Sequence, residues 1–269
     1  MKYDPVKRSL GKVFNTTPFA RKLFYRLLDT LLLRTWYIKK EIRQIKGLLP
    51  REAQFLDAGA GFGQYSYFLS RVSKTWKITA VDVKEDQVED CNQFFNKIGR
   101  ADRVHFEVAD LTKFQQQEIY DAALSVDVME HIENDVGVFK NICNSLKQGG
   151  ILLISTPSDK GGSDVQHNHE ESFIDEHVRD GYSIEDIEEK LKNAGFSFVD
   201  SKYSYGKPGV LSWKLSMKYP IIMLNKSKLF FLILPFYYIL TFPFCLLLNY
   251  IDVHNFHESG TGLIVKAIK

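Results

Sequence analysis

The sequence predicts an α/β fold, a mainly parallel sheet with helices on both faces, and three observations predict it. Short apolar strands alternate with amphipathic helices over residues 53–205. The run FLDAGAGFG at Phe55–Gly63 sets a buried strand, an acid, a glycine turn and a helix start in succession. A second strand ends in Asp82, nineteen residues after Gly63. Together these describe a nucleotide-type cofactor site at the carboxyl edge of a parallel sheet.

Taken in order, Phe19–Leu33 and Tyr37–Leu48 read as basic amphipathic helices that stop near Pro50. Strand Ala53–Asp57, helix Gln64–Val72, strand Lys77–Asp82, helix Glu85–Ile98 and strand Val104–Val108 follow. Strand Asp121–Val126 leads to helix Asp135–Leu146, and Gly149 and Gly150 turn the chain into the apolar strand Ile151–Ser155. Ser183 and Asp186 form a capping box for helix Ile184–Ala194, which Gly195 closes. Phe196–Tyr205 and Gly262–Ile268 are the last strands.

The glycine spacing narrows the cofactor. A dinucleotide fingerprint needs G-x-G-x-x-G. Counting from Gly59 and Gly61 the third position is Gln64, and from Gly61 and Gly63 it is Ser66. The observed G-x-G-x-G after Asp57 resembles motif I of the class I S-adenosylmethionine (SAM) methyltransferases. EVADL at Glu107–Leu111 and SVDVMEHIE at Ser125–Glu133 match later segments of that superfamily, in the branch of the ubiquinone- and menaquinone-biosynthesis methyltransferases. The resemblance covers about Ala53–Tyr205 plus the last strand. It implies a Rossmann-like seven-stranded sheet whose last strand is antiparallel and inserts beside its neighbour. It also implies SAM as cofactor. Gly59, Gly61 and Gly63 would admit the ligand to the backbone. Asp57 would face its ammonium group, and Asp82, with Val83 beside it, its ribose hydroxyls. Asp110 and Leu111 would meet the adenine, and Val126 and Asp127 the methionine end, over which Tyr65 could close.

Methyl transfer to oxygen needs a base or a stabilised anion. The histidines His131, His167, His169 and His177 are the candidates, with His131 best placed. The trio Asp127, Glu130 and His131 matches a Glu-Glu-His metal set of the ubiquinone O-methyltransferases, with Asp in place of the first Glu. HNHEESFIDEH at His167–His177 has no zinc-finger spacing. It reads as a polar lid hinged at Gly161 and Gly162, and no metal is assigned to either cluster.

Charge divides the chain. Residues 1–50 carry +9, residues 51–200 carry −13 and residues 201–269 carry +6. Residues 1–50 are thus a basic helical extension, 51–205 the SAM-binding core, 206–258 a hydrophobic and basic insertion, and 259–269 the closing strand. Leu229–Ile251 is 23 residues without a charge, long enough to cross a bilayer, and Lys214, Lys218, Lys226 and Lys228 precede it. A single span would strand Gly262–Ile268 on the far side, away from its sheet. Pro235 and Pro243 disfavour one straight helix. A broken helical hairpin dipping into one leaflet satisfies both constraints, with Tyr237, Tyr238 and Tyr250 near the headgroups. The alternatives are a cap over an apolar tunnel, a homodimer interface, or a true span. The three unpaired cysteines and the lack of an apolar leader segment point to a reducing compartment.

These readings converge on a cytoplasmic enzyme, peripheral or monotopic on the inner face of the cytoplasmic membrane. It would methylate a lipophilic acceptor at O or C, with an anionic membrane surface as its partner. Nucleic acid fits the basic ends less well, because their charges are interleaved with Leu, Phe and Trp36. A methyltransferase of a soluble metabolite and a non-catalytic SAM-binding scaffold are the competing readings.

Overall fold

Strand β1 (Gln54–Ala58) is central to the sheet, because both of its sides are paired: β2 (Lys77–Asp82) lies on one and β4 (Tyr120–Val126) on the other, both parallel. β3 (Val104–Val108) extends the first side and β5 (Leu146–Pro157) the second. β7 (Gly262–Ile268) then pairs antiparallel with β5 and with β6 (Phe198–Ser204). The order is β3-β2-β1-β4-β5-β7-β6, as the resemblance implied. This computed structural model describes residues 17–161 and 178–269.

Alternation along the strands divides the core in two. Phe55, Ile78, Ala122 and Leu124 face one layer, and Leu56, Val81, Ala123 and Leu152 face the other. The first layer holds α2 (Leu33–Ile45), α3 (Gln64–Val72) and α4 (Glu85–Lys97), with Ile38, Ile42 and Leu69 fully buried. The second holds α5 (Asp135–Ser145) and α6 (Ile184–Asn193), through Phe139, Ile142 and Ile187. The Ser183 cap forms as expected, its Oγ accepting the Asp186 N–H at 3.0 Å. β5 differs from expectation. It begins at Leu146, and a register shift against β4 absorbs the glycine pair, whose backbone bonds to Lys269.

The basic extension departs from its reading as two helices separated by several residues. α1 (Pro18–Leu31) and α2 are parted by the single extended residue Leu32. Part of their charge faces inward. Arg21 is 2% exposed; its guanidinium donates to Asp90 Oδ2 at 2.8 Å and to the Phe62 carbonyl at 3.0 Å, and it lies 4.6 Å from the Phe94 ring centroid. The Tyr25 hydroxyl donates to the same Phe62 carbonyl.

Leu229–Ile251 does not break into a hairpin as expected: most of it is one helix, and the hairpin forms between that helix and the segment before it. The first arm is α7 (Lys207–Trp213), a π turn (Lys214–Lys218) and α8 (Tyr219–Lys226). A 3₁₀ turn at Lys228–Leu232 reverses the chain, and α9 (Leu234–His254) is the second arm. Pro235 sits in the first turn of α9, where a missing N–H is harmless. Pro243 lies inside the helix, and the carbonyl it leaves unpaired belongs to Ile239, an exposed residue. Tyr237 and Tyr238 do not point outward as expected. Their hydroxyls donate to the Leu215 and Ser216 carbonyls at 2.7 and 2.8 Å, in the π turn of the first arm. Tyr250 is exposed.

Asp252 anchors the hairpin to the body. Its buried carboxylate accepts the Tyr37 hydroxyl from α2 at 2.6 Å and the Gly209 N–H from α7 at 2.8 Å. Removing it orphans the buried Gly209 N–H, while the Tyr37 hydroxyl keeps the Asp252 carbonyl at 2.9 Å. Asp252→Ala is expected to lower stability by about 1 to 3 kcal/mol, read as a fall in the thermal unfolding midpoint.

Candidate active site

The candidate site lies at the carboxyl ends of β1, β2 and β4. The turn after β1 has Gly59, Gly61 and Gly63 at φ +83°, +50° and +74°, which side chains rarely tolerate. Two of the three are also packed. A Cβ on Gly59 would come within 2.3 Å of Val128 Cγ2, and one on Gly63 within 2.9 Å of Phe106 Cζ. Gly61 is different, because its nearest neighbour would be Gln87 Oε1 at 4.0 Å. Its backbone is thus open on the side where a ligand approaches.

Asp82 organises that turn. Its Oδ2 accepts the Gly61 N–H at 2.8 Å and its Oδ1 the Lys84 N–H at 3.0 Å. Val83, next to it, is exposed. Asp57 is 2% exposed and accepts the Ser66 hydroxyl at 2.6 Å. Burial pushes its carboxyl up to about 6; Ser66 pulls it down, and the charge of Asp82 adds to the rise. Asp110 caps the turn after β3: its Oδ1 accepts from Thr112 N and Oγ1 at 2.9 and 2.7 Å, and these bonds hold its pKa below the ordinary value. Leu111 beside it is buried, and its carbonyl accepts from Asn141 at 2.9 Å.

A second group gathers beyond β4. Val126 ends that strand, and Asp127 follows in the left-handed region at φ +53°. The Asp127 carboxylate is ion-paired with Arg34 of α2. The Arg34 N–H donates to the Tyr205 hydroxyl at 3.0 Å, and Thr35 shares a 3.3 Å bond with the Tyr65 hydroxyl. Burial raises the pKa of Tyr65, and pushes that of Tyr205 up to about 12. Glu130 is 1% exposed and accepts from Thr156 Oγ1 at 3.1 Å. Burial, then the neighbouring Asp127 charge, holds its carboxyl well above the usual range.

The structure therefore brings Asp57, the three glycines, Asp82, Asp127 and Tyr65 to one edge. His131 lies on the exposed side of a 3₁₀ turn, Met129–His131. His167, His169, His177 and Gly162 lie outside the described residues. Gly161 packs on Thr261, so that a Cβ there would lie 2.1 Å from Thr261 Cβ. Among the described residues no three His, Cys, Asp or Glu side chains are grouped to hold a metal ion. Sequence reasoning missed Arg34, Thr156 and Tyr205, which reach this edge from three distant segments. The one available signal was Arg34 itself, a charge in the gap between two helical stretches.

The open face at Gly61 and the acidic edge around it fit the expected cofactor, a cation with an amino-acid end and two ribose hydroxyls. Asp82, Asp57 and Asp127 are the carboxylates that would hold it. Comparison with known proteins agrees. Residues 50–201 match the family described as "Methyltransferase domain". The chain is 30% identical over 141 residues to malonyl-acyl-carrier-protein O-methyltransferase 2 of Ilyobacter polytropus, covering 51% of this chain and 52% of that protein. It is 30% identical over 164 residues to phosphoethanolamine N-methyltransferase 1 of Zea mays, covering 60% and 31%. The chain thus spans about half, or less, of the length of these relatives. Phosphoethanolamine N-methyltransferase 2 of Haemonchus contortus, solved with SAM, shares the fold at TM-score 0.57 and 19% identity, over 91% of this chain and 60% of that one.

The Asp57 carboxyl supplies a pH signature. Its folded value near 6 lies above the ordinary 3.8, so its contribution favours folding below that ordinary value and is lost as pH rises through about 6. Asp57→Asn is expected to match the wild type in acid and to be more stable above neutrality by roughly 3 kcal/mol, as measured by urea unfolding across pH.

Proposed function

The chain belongs to the methyltransferase domain family, and so to the class I SAM-dependent methyltransferases; on that basis we propose that it methylates an apolar or lipid-linked acceptor, at oxygen or carbon, on the inner face of a cytoplasmic membrane. The observation that carries the acceptor class is the apolar hairpin. Phe231, Leu232, Phe236, Leu240 and Phe244 are each more than 60% exposed. α9 is 21 residues long, and its most apolar stretch has mean hydropathy 1.5 with only 17% of it buried. Such a surface is costly in water and favourable in lipid.

The connectivity supports one-sided insertion. The hairpin leaves the sheet after β6 and returns into β7, which lies between β5 and β6. Its first arm carries Lys207, Lys214, Lys218 and Lys226, charges that belong at a headgroup surface. The root of the hairpin adjoins the site through Tyr205 and Arg34. Tyr205, which receives the Arg34 N–H, immediately precedes it, and Trp213 and Asn249 lie against the same small gap as Tyr205.

SAM supplies a methyl group on a sulfonium, an already good leaving group, so alignment accounts for much of the rate. The chain's own part is to fix the loop through Asp82 and to hold Asp127 at the edge through Arg34. Burial and the Asp127 charge favour the neutral form of Glu130, which spares Asp127 a second negative charge beside it. For an O–H acceptor, His131, on the turn that follows β4, is the base this reading assigns. A polar acceptor is the second reading, favoured by the acceptor in the name of the maize relative, phosphoethanolamine.

Methyl-labelled SAM, purified protein and a total cell extract distinguish the two. Label in a discrete organic-phase product, absent with Asp82→Ala, is expected; label confined to the aqueous phase would replace the lipid reading with the polar one. Gly61→Val is expected to weaken SAM binding by at least about tenfold, roughly 1.4 kcal/mol, by calorimetry. Unchanged affinity would remove Gly61 from the site.

A further inference from the structure

A groove of about 580 Å³ opens between α2 and the end of α9, and it contains none of the glycine-turn residues. α2 contributes Trp36, Lys39, Lys40 and Arg43, which at spacings of three and four share one helix face. α9 contributes Tyr250 and His254, their rings 4.2 Å apart. Three lysine and arginine side chains therefore line the groove against one carboxylate, Asp29, which Lys39 pairs at 2.5 Å. Lys40 covers the Val253 carbonyl at 2.6 Å, and His254 Nδ1 lies 2.8 Å from the Tyr250 carbonyl. The negative end of the α9 dipole is thus shielded by cationic and histidine side chains. Arg43 is at the exposed mouth.

The exposed stripe of α9 leads into this groove. Phe236, Leu240, Phe244, Leu247 and Tyr250 recur every three or four residues on one face, all more than half exposed. At 1.5 Å per residue the stripe is about 21 Å long. The lysines of the first arm belong at the headgroups, so the hairpin lies along the interface and presents this stripe to the hydrocarbon. Tyr250 and Trp36 then lie at headgroup depth, where such rings concentrate. The cations sit in the same plane.

We infer that this groove binds the phosphate headgroup of an anionic phospholipid in the leaflet that the hairpin enters. The inference rests on the membrane reading above and adds a defined contact to it. The charge of the groove and its position at the end of the apolar stripe select a lipid phosphate over a soluble one.

The test is co-sedimentation of the full chain with vesicles of phosphatidylcholine alone, or of phosphatidylcholine with phosphatidylglycerol. Arg43→Glu is compared with Lys97→Glu, an equal charge reversal at the exposed end of α4, and circular dichroism checks that each variant is folded. The wild type is expected to prefer the anionic vesicles. Arg43→Glu should lower that partition on the order of tenfold, with little effect on neutral vesicles. Lys97→Glu should change it less than about twofold, since distant charges are screened. Phe231→Ser with Leu232→Ser should lower binding to both vesicle types. Equal losses for the two charge reversals, or none for Arg43→Glu, would overturn the groove while leaving the membrane reading intact. Calorimetric binding of inorganic phosphate without any preference for anionic vesicles would overturn the lipid assignment. No binding of the wild type to either vesicle would overturn the membrane reading, and the groove with it.

Discussion

The insertion of β7 between β5 and β6 is the constraint on which the rest of this molecule depends. A strand that must slot antiparallel between two earlier ones fixes where the preceding segment ends, whatever that segment contains. The chain leaves the sheet at Ser204 and re-enters at Gly262, with Ser204 paired to Gly262 itself. Fifty-odd residues must therefore form a closed excursion. The excursion is a hairpin because its ends are already joined, and Asp252 secures its root to α2.

The same closure brings distant residues to the edge of the candidate site. Tyr205 stands where the excursion begins, at φ +55°, and receives the Arg34 N–H. Arg34 in turn holds Asp127 beyond β4. The N-terminal helices are thus part of the site. Arg21 and Tyr25 converge on the Phe62 carbonyl inside the glycine turn, and Gln64, the first residue of α3, donates to Asp29 of α1 at 2.8 Å. A cofactor turn built of left-handed glycines is intrinsically loose; here a helix from outside the core steadies it.

The parts legible in the sequence were those whose cause is local. A strand ending in an acid before three glycines is written within nine residues, and the φ values and the Val128 contact show why no other residue serves at Gly59. The strand order followed from alternation and from the family resemblance. The Arg34–Asp127 pair was not legible, because its members are 93 positions apart and neither needs the other to satisfy its own helix or strand. The inward turn of Arg21 was hidden for a similar reason: an arginine on a basic helix looks solvated until Asp90 and Phe94 are placed beside it. A hairpin was expected within Leu229–Ile251, but most of that stretch is one helix and its partner arm comes from residues 207–226. Prolines were read as breaks, whereas one starts α9 and the other sits on an accessible face that tolerates it.

The clamp on the Phe62 carbonyl bears on modularity. The family match runs from residue 50 to residue 201, which suggests a portable unit. Cut at those borders, the unit would lose the helix that neutralises Asp90 and steadies the glycine turn. It would also lose β7, leaving the inner edges of β5 and β6 without a partner. The segment that defines the family is therefore not self-sufficient in this protein: its two flanks act as one brace, so a domain transplant or shuffling event must carry the N-terminal helices and β7 with it.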